Sequence, residues 1–286
     1  MALCGPSCER VYRHGKNDWL YEIEITTNRV DSMSVMGIAR EAAAILPRFG
    51  YTAKLIEPKL ANPKSPTSNP PKLTIKTDPK LTNRVMGVIM EVNIGKSPQY
   101  IQDRLQATDI RSLNNLVDIT NYIMTEIGHP THVFDYDRLI TSSPQMRRGM
   151  PQAGVVDNQT LSPTLIIRES KPGEKIVSLE NKEYTLPGGD IVIENGNGDI
   201  IDLPGIIGTA NSIVQDDTKR ILFFIDNNDP KRMRKTSMTL GIRTVAVTLN
   251  EKKVDPELGE TALKRGIKLY QEIANGKVIS KIYDLY

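Results

Sequence analysis

His132 and Arg111 carry the side chains that offer most to a reaction or a ligand. The imidazole of His132 has an ordinary pKa near neutrality, so it could orient a water molecule or donate a hydrogen bond. The commoner use of such a residue is as a loop histidine bonded to backbone, which we expect for neighbouring His129. Arg111 could bind a phosphate or pair with Asp109 or Asp118, and its chemistry suits both uses equally.

Smaller residues could shape a binding surface. Gly208, in the stretch GIIGTAN, would let a ligand approach the backbone, although a simple tight turn explains a glycine equally well. Thr244 and Ala246 are two positions apart, so on an extended segment they would face the same side. That arrangement would set a hydroxyl group beside a small wall, whereas a threonine on a sheet surface is the simpler interpretation.

Metal and thiol chemistry have little support in the sequence. Cys4 and Cys8 are the only cysteines, and the chain has three histidines. No second Cys or His pair follows at metal-ligand spacing, so we expect inert thiols, no metal site and no disulfide staple. Lys231, Arg232 and nearby basic residues could touch phosphates, but solvated charge on a helix is the commoner explanation.

Composition indicates an ordinary globular protein. The chain has 286 residues, with 39% hydrophobic residues, 25% charged residues and a formal net charge of +3. This length allows one large domain or two unequal domains. No apolar run is long enough to cross a membrane, and the start MALCGPSCERVYRHGK lacks the apolar stretch of a signal peptide. We therefore expect a cytoplasmic protein, while a slight basic bias does not identify a nucleic-acid partner.

The N-terminal part should contain one strand and one helix. Alternation over Leu20 to Ile25 predicts a half-buried strand with Tyr21 on the apolar face. Apolar spacing over Val35 to Leu46 predicts a helix capped by Ser34 and stopped by Pro47 and Gly50. The following stretch ANPKSPTSNPP disfavours regular pairing. We therefore expect domains at 1–62 and 81–286, joined by a Pro-rich linker at 63–80.

The remainder favours the α+β class, a mostly antiparallel, strand-rich domain with flanking helices. Helix signals, including caps and first-turn prolines, delimit four segments: Ser97–Leu105, Leu113–Ile127 with a stop at Gly128, Asp229–Gly241 and Asp255–Gly276. Strand signals cover five others: Leu165–Ile167, Ile176–Leu179, Tyr184–Leu186, Ile191–Ile193 and Ile221–Ile225.

Four stretches carry a resemblance to a known family. They are IEITTNRVDSMSVMGIARE (Ile23–Glu41), RSLNNLVDITNYIMTEIGHPTHVFDYDRL (Arg111–Leu139), GEKIVSLENKEYTL through LPGIIGTANS (173–212), and RKTSMTLGIRTVAVTLNEKKVDPELGETAL (Arg234–Leu263). In this order and nearly this spacing they resemble the beta subunit of bacterial-type phenylalanyl-tRNA synthetase. The resemblance covers nearly all of the chain after residue 20.

The resemblance implies an architecture and partners. The chain would comprise the second half of the first beta-subunit domain, a small helical or winged-helix-like piece, followed by the third/fourth (B3/B4-like) editing domain. Met1 would then be an artificial boundary or an atypical start. Expected partners are tRNA(Phe) and the alpha subunit of an alpha2beta2 tetramer. The parent enzyme would use ATP and Mg2+, whereas this fragment would need no cofactor and could not itself make phenylalanyl-adenylate.

The activity that the resemblance implies is hydrolysis of mischarged Tyr-tRNA(Phe). A pocket for phenylalanine cannot strongly reject a ring with one added hydroxyl, so a second hydrolytic site is the general remedy. Cleaving the ester needs a placed water, donors for the oxyanion and a polar partner for the phenol. By resemblance the catalytic residues would be His132 and Thr244, and substrate would contact Arg111 (through the terminal adenosine phosphate or ribose), Pro130, Gly208, Phe224, Asp226 and Ala246.

Phe224 is a departure from the family pattern. The family has a glutamate at this position for the tyrosine hydroxyl, and a phenyl ring would leave that hydroxyl unpaired at a cost of roughly 1–3 kcal/mol. Asp226, on the same face of the expected strand, could substitute. Alternatively, editing has decayed and the chain is a non-catalytic module that docks the alpha subunit and positions tRNA. A free-standing tRNA-binding adaptor is a third, weaker alternative.

Overall fold

A computed structural model describes residues 6–63, 69–141, 162–211 and 213–286. The described chain combines helices with largely antiparallel sheets, so the predicted α+β class is confirmed. Within these residues, no helix is long and apolar enough to cross a membrane.

The N-terminal part is a hairpin followed by a helix. Strands β1 (Ser7–His14) and β2 (Asp18–Glu24) pair antiparallel, but Tyr21 on the expected buried face is 56% exposed. Helix α1 (Val35–Ile45) begins as predicted, because the Ser34 hydroxyl accepts a hydrogen bond from the Gly37 N–H at 2.9 Å. A short 3-10 turn then ends at Gly50, whose φ of 82° suits a glycine.

A large antiparallel sheet forms the centre of the fold. Its strand order is β13-β4-β12-β5. Strand β14 also pairs with β4, at Val85–Gly87, whereas β13 pairs with Met90 and Glu91. The strands are β4 (Thr82–Glu91), β5 (His132–Asp135), β12 (Arg220–Asn228), β13 (Lys277–Val278) and β14 (Tyr283–Leu285).

A second sheet has the order β11-β10-β9-β6-β3, in which only the β3–β6 pair is parallel. Its edge strand β3 lies within the stretch predicted as linker, while the predicted domain boundary itself stays a prediction. A separate hairpin pairs β7 with β8. The strands are β3 (Thr74–Lys76), β6 (Thr164–Glu169), β7 (Lys175–Val177), β8 (Glu183–Thr185), β9 (Ile191–Asn195), β10 (Ile200–Leu203) and β11 (Ile207–Gly208).

The helices largely follow their sequence signals. Ser97 is not a cap, however, because its hydroxyl donates to Asp118, and Pro98 takes the cap position. The last helix begins two residues later than its Asp255-Pro256 signal and ends at Ile273. The helices after α1 are α2 (Gln99–Ala107), α3 (Asn115–Ile127), α4 (Tyr136–Thr141), α5 (Pro230–Leu240), α6 (Val245–Asn250) and α7 (Leu258–Ile273).

Strand β12 separates two hydrophobic cores. Its odd-numbered residues, such as Phe223, pack with α3 and α7, whereas Leu222 and Phe224 pack toward the second sheet. Successive side chains of a strand point to opposite faces, so one strand contributes to both cores. The core between the two sheets borders the candidate site.

Candidate functional site

His132 is the first residue of β5 and lies opposite Phe224 of β12 in the antiparallel register. Its ring is tilted against that of Phe134, with centroids 4.3 Å apart. The side chain is only half-buried by surface area, yet burial of its surroundings lowers the pKa to about 4. The imidazole is therefore neutral at neutral pH and can orient a water molecule by accepting its hydrogen bond, although so low a pKa makes it a weak proton acceptor.

Gly208 brings the second sheet close to His132. A Cβ atom on Gly208 would lie 3.4 Å from His132 Cε1 and 3.2 Å from Leu179 Cδ1. The Thr244 hydroxyl donates to the Ile206 carbonyl at 3.0 Å, two residues before Gly208. His132, Gly208 and Thr244 thus meet where the two sheets and the start of α6 come together.

The expectation that Thr244 and Ala246 lie on an extended segment is wrong. Thr244 caps α6, and its hydroxyl accepts from the Val247 N–H at 3.2 Å. On a helix, residues two apart point about 200° from each other, so these side chains do not share a face. Ala246 instead packs beside a small cluster that includes Met124 and Leu249.

Arg111 lies on the loop before α3 and is exposed. The described donors to Asp118 are Ser97, Ser112 and the Leu113 N–H, at 2.5, 2.5 and 2.8 Å, so Arg111 is not the partner of that carboxylate. The guanidinium remains accessible to solvent.

Pro130 is buried between α3 and β5. Its carbonyl is 2.8 Å from Nδ1 of His129, which fits the expected loop role of that histidine. His129 is fully buried, its Nε2 has no hydrogen-bond partner, and burial lowers its pKa to about 4. Pro130 therefore contributes to the packing between α3 and β5.

Phe224 is part of the core. It is 0% exposed, and its ring meets Phe134 edge-on with centroids 5.7 Å apart. Phe224 lies opposite His132 in the strand register. The position to which the resemblance assigns a glutamate is thus occupied by a packed aromatic ring.

Asp226 shares the face of Phe224 and is also buried, at 7% exposure. One carboxylate oxygen accepts a hydrogen bond from the Asn228 amide, and burial raises the pKa to about 6. A second buried carboxyl group, Asp202 on β10, has its pKa raised well above the ordinary value, first by burial and then by Asp226.

Sequence reasoning missed Asp202, and its local pattern is misleading. Ile201 and Leu203 flank it in alternation and face the core, so the pattern predicts a solvent-facing carboxylate. The structure instead buries Asp202 to 3% exposure and sets it in register with Gly208.

An open cleft of about 390 Å³ lies beside strand β7, the β9–β10 turn and the residues that follow β11. Its lining includes Glu174, Lys175, Asp199 and Asn211. The sequence-predicted site residues are not among those that line it, although Thr209, which directly follows Gly208, is.

The sequence model of a family described as the B3/4 domain matches residues 81–275. The phenylalanine–tRNA ligase beta subunit of Carboxydothermus hydrogenoformans is 36% identical over 271 residues, which are 94% of this chain and 30% of that protein. The beta subunit of Thermotoga maritima is 32% identical over 277 residues, 96% of this chain and 32% of that protein.

This chain therefore spans about a third of the length of the curated relatives it matches. Among solved structures, an N-terminal fragment of the phenylalanyl-tRNA synthetase beta-subunit from Pyrococcus horikoshii aligns with a TM-score of 0.37 at 15% identity, covering 88% of this chain and 66% of that one. So loose a superposition has no bearing on the site. Because the family match covers more than half of the chain, the chain belongs to the B3/4 domain family, and its resemblance to phenylalanyl-tRNA synthetase beta subunits is confirmed.

Proposed function

We propose that this chain is the part of a phenylalanine–tRNA ligase beta subunit that inspects aminoacyl-tRNA and hydrolyses the tyrosyl ester of Tyr-tRNA(Phe). The observation that carries the proposal is the close approach of His132 to Gly208, beside the capped start of α6. Residues far apart in sequence meet there, at the junction of two sheets. The parent would be a cytoplasmic enzyme with an alpha subunit, and it would use ATP and Mg2+ outside this chain.

The chemistry assigned to the site follows from neutral His132. An imidazole with a pKa of about 4 is uncharged at neutral pH, so it can accept a hydrogen bond from an attacking water. Glycine at 208 leaves space for the ester beside that ring. Thr244 positions the turn that carries Gly208, because its hydroxyl bonds the Ile206 carbonyl. Thr244 thereby acts as a positioning residue.

Phe224 favours a second candidate, a non-catalytic module that docks the alpha subunit and positions tRNA. The ring is fully buried against Phe134 and cannot accept a hydrogen bond from a tyrosine hydroxyl. Loss of that acceptor would reduce selectivity for tyrosine by roughly tenfold to a hundredfold. On this alternative, the fold persists for assembly and the hydrolytic activity is absent.

Deacylation of Tyr-tRNA(Phe) by the chain assembled with its alpha subunit distinguishes the two candidates. We expect release of tyrosine above the spontaneous rate, and a fall of about a hundredfold for His132→Ala, typical of losing an acid–base group. The matched control is His14→Ala, which alters an exposed histidine of the N-terminal hairpin. A wild-type rate equal to the spontaneous rate would establish the scaffold instead.

A further inference from the structure

Three buried side chains at the junction of the sheets present more hydrogen-bond acceptors than donors. Asp202, Asp226 and Asn228 are 3%, 7% and 4% exposed. The Oδ1 atoms of Asp202 and Asn228 have no hydrogen-bond partner. Buried polar atoms are normally paired, so unpartnered acceptors on neighbouring residues indicate a missing donor.

The neighbouring protein groups do not supply a positive charge. Among the described residues, no lysine, arginine or histidine forms an ion pair with Asp202 or Asp226. The amide of Asn228 donates to Asp226, which uses one donor and leaves the amide oxygen free. Buried carboxylates are stable when a cation or several donors face them.

These acceptors lie beside the candidate site. Asp202 is the cross-strand partner of Gly208, so its side chain leaves the sheet on the face where a Gly208 Cβ would approach His132. Phe224, Asp226 and Asn228 are two residues apart along β12, so their side chains point to the same face. Phe224 lies opposite His132. The acceptors thus come from both sheets and flank the place where His132 and Gly208 meet.

We propose that Asp202, Asp226 and Asn228 bind a primary ammonium group, the α-ammonium of the aminoacyl ester presented to the neighbouring site. An ammonium carries three donors and no acceptor, which complements a set made of two carboxyl groups and one amide oxygen. A metal ion is the less suitable occupant, because the described residues contain no group of three His, Cys, Asp or Glu side chains that could hold one. The identity of the ligand rests on the proposed function, whereas the binding of an ammonium does not.

Calorimetric titration of the whole chain with small probes tests the site. The probes are L-tyrosinamide, which has the ammonium, N-acetyl-L-tyrosinamide, which lacks it, and MgCl2. We expect L-tyrosinamide to bind at least about tenfold more tightly than its acetylated analogue, since charge-assisted hydrogen bonds are lost on acetylation. This comparison uses the wild-type chain, so it does not depend on the folding of any variant.

The isosteric variants Asp202→Asn and Asp226→Asn identify the residues. Each should weaken L-tyrosinamide by about tenfold and leave the acetylated probe unchanged, because a carboxyl oxygen that accepts from the ammonium is replaced by an amide NH2 group, which is a donor. The control is Asp216→Asn, on an exposed turn. Thermal melts establish that each variant is folded.

Several outcomes would overturn the inference. They are failure of L-tyrosinamide to bind, equal affinity of the wild-type chain for both tyrosine probes, an affinity for L-tyrosinamide in Asp202→Asn and Asp226→Asn equal to that of the wild-type chain, or a Mg2+ site that these variants abolish. If L-tyrosinamide binds through these residues while Tyr-tRNA(Phe) is not hydrolysed, the ammonium site is upheld and the proposed hydrolysis fails separately.

Discussion

Asp226 couples protonation to the stability of the fold. Burial raises its pKa to about 6 from an ordinary value of 3.8, so the folded chain keeps a proton that the unfolded chain releases in this window. Its contribution to the free energy of unfolding therefore falls as pH rises from about 4 to 6, by up to about 3 kcal/mol. The folded chain then carries a buried charge above that window.

Replacing Asp226 by asparagine should remove this penalty. At pH 8 we expect Asp226→Asn to unfold at higher urea concentration than wild type, whereas at pH 4 the two should differ little. Asp190→Asn is the contrasting control, because that buried carboxylate accepts from Ser170, Gly188 and Thr236 and should lose stability on neutralisation. An equal effect of Asp226→Asn at both pH values would show that its carboxyl group is not charged in the folded interior.

Phe224 occupies the position at which the resembled family has a glutamate, and substitutions there test how the aromatic ring contributes to the fold. Phe224→Glu should lower the free energy of unfolding by about 3 kcal/mol or more, because it removes the contact with Phe134 and buries an unpaired carboxyl group. Phe224→Leu, which stays apolar, should lose about 1 kcal/mol. Chemical denaturation measures both. A Phe224→Glu chain as stable as wild type would mean that this position opens to solvent.

Among the elements, α6 depends on a threonine with two hydrogen bonds. Thr244→Ala removes the cap to Val247 and the bond to Ile206, so we expect a loss of about 1–2 kcal/mol. Thr244→Ser retains both bonds and should restore stability and deacylation together. Thr125→Ala in α3 is the matched control, because that hydroxyl bonds only its own helix. Falls in stability for Thr244→Ser as large as for Thr244→Ala would contradict the capping role.

Elements with strong local signals were predictable. Helices α1, α3 and α5 lie where their apolar spacing and caps predict. The signals for a helix are local, because the cap residue, the apolar face and the terminal glycine all belong to the same short segment. The strand β4 escaped prediction, since both of its faces are buried and TNRVMGVIME shows no clear alternation. The helix that begins after Thr244 was missed because its six residues make fewer than two turns, which is too short to show a helical repeat of apolar residues.

The site was less predictable than the elements. The family resemblance led to His132, Gly208 and Thr244, which the β11 segment brings together, and also to Ala246, whose side chain packs in a different cluster, and Arg111, which is exposed on the loop before α3. The acceptors around Asp202 depend on strand pairing across two sheets. Which strands pair depends on the tertiary fold, so the pairing cannot be predicted from the local repeat of apolar residues.

At the scale of the molecule, α7 closes one core against the large sheet. Gly266 lies where the helix crosses Phe223 and Ile123, and a Cβ there would overlap the Phe223 ring. That ring is held edge-on against Tyr270, 5.2 Å between centroids, so it has little freedom to move. The close approach sets the position of α7, and through β12 it fixes the sheet that carries His132 and Asp226.

Gly266→Ala should therefore destabilise the chain, although alanine is the better helix former. The gain in helix propensity is about 1 kcal/mol, whereas overpacking a rigid core costs about 1–3 kcal/mol or more. Gly259→Ala is the matched control in the same helix, because its nearest contact would be Met86 at an ordinary 3.5 Å. Urea denaturation followed by circular dichroism should show Gly266→Ala below wild type and Gly259→Ala at or above it. If both variants gained stability, α7 would have room to shift from the sheet, and the rigid support inferred for the site would be absent.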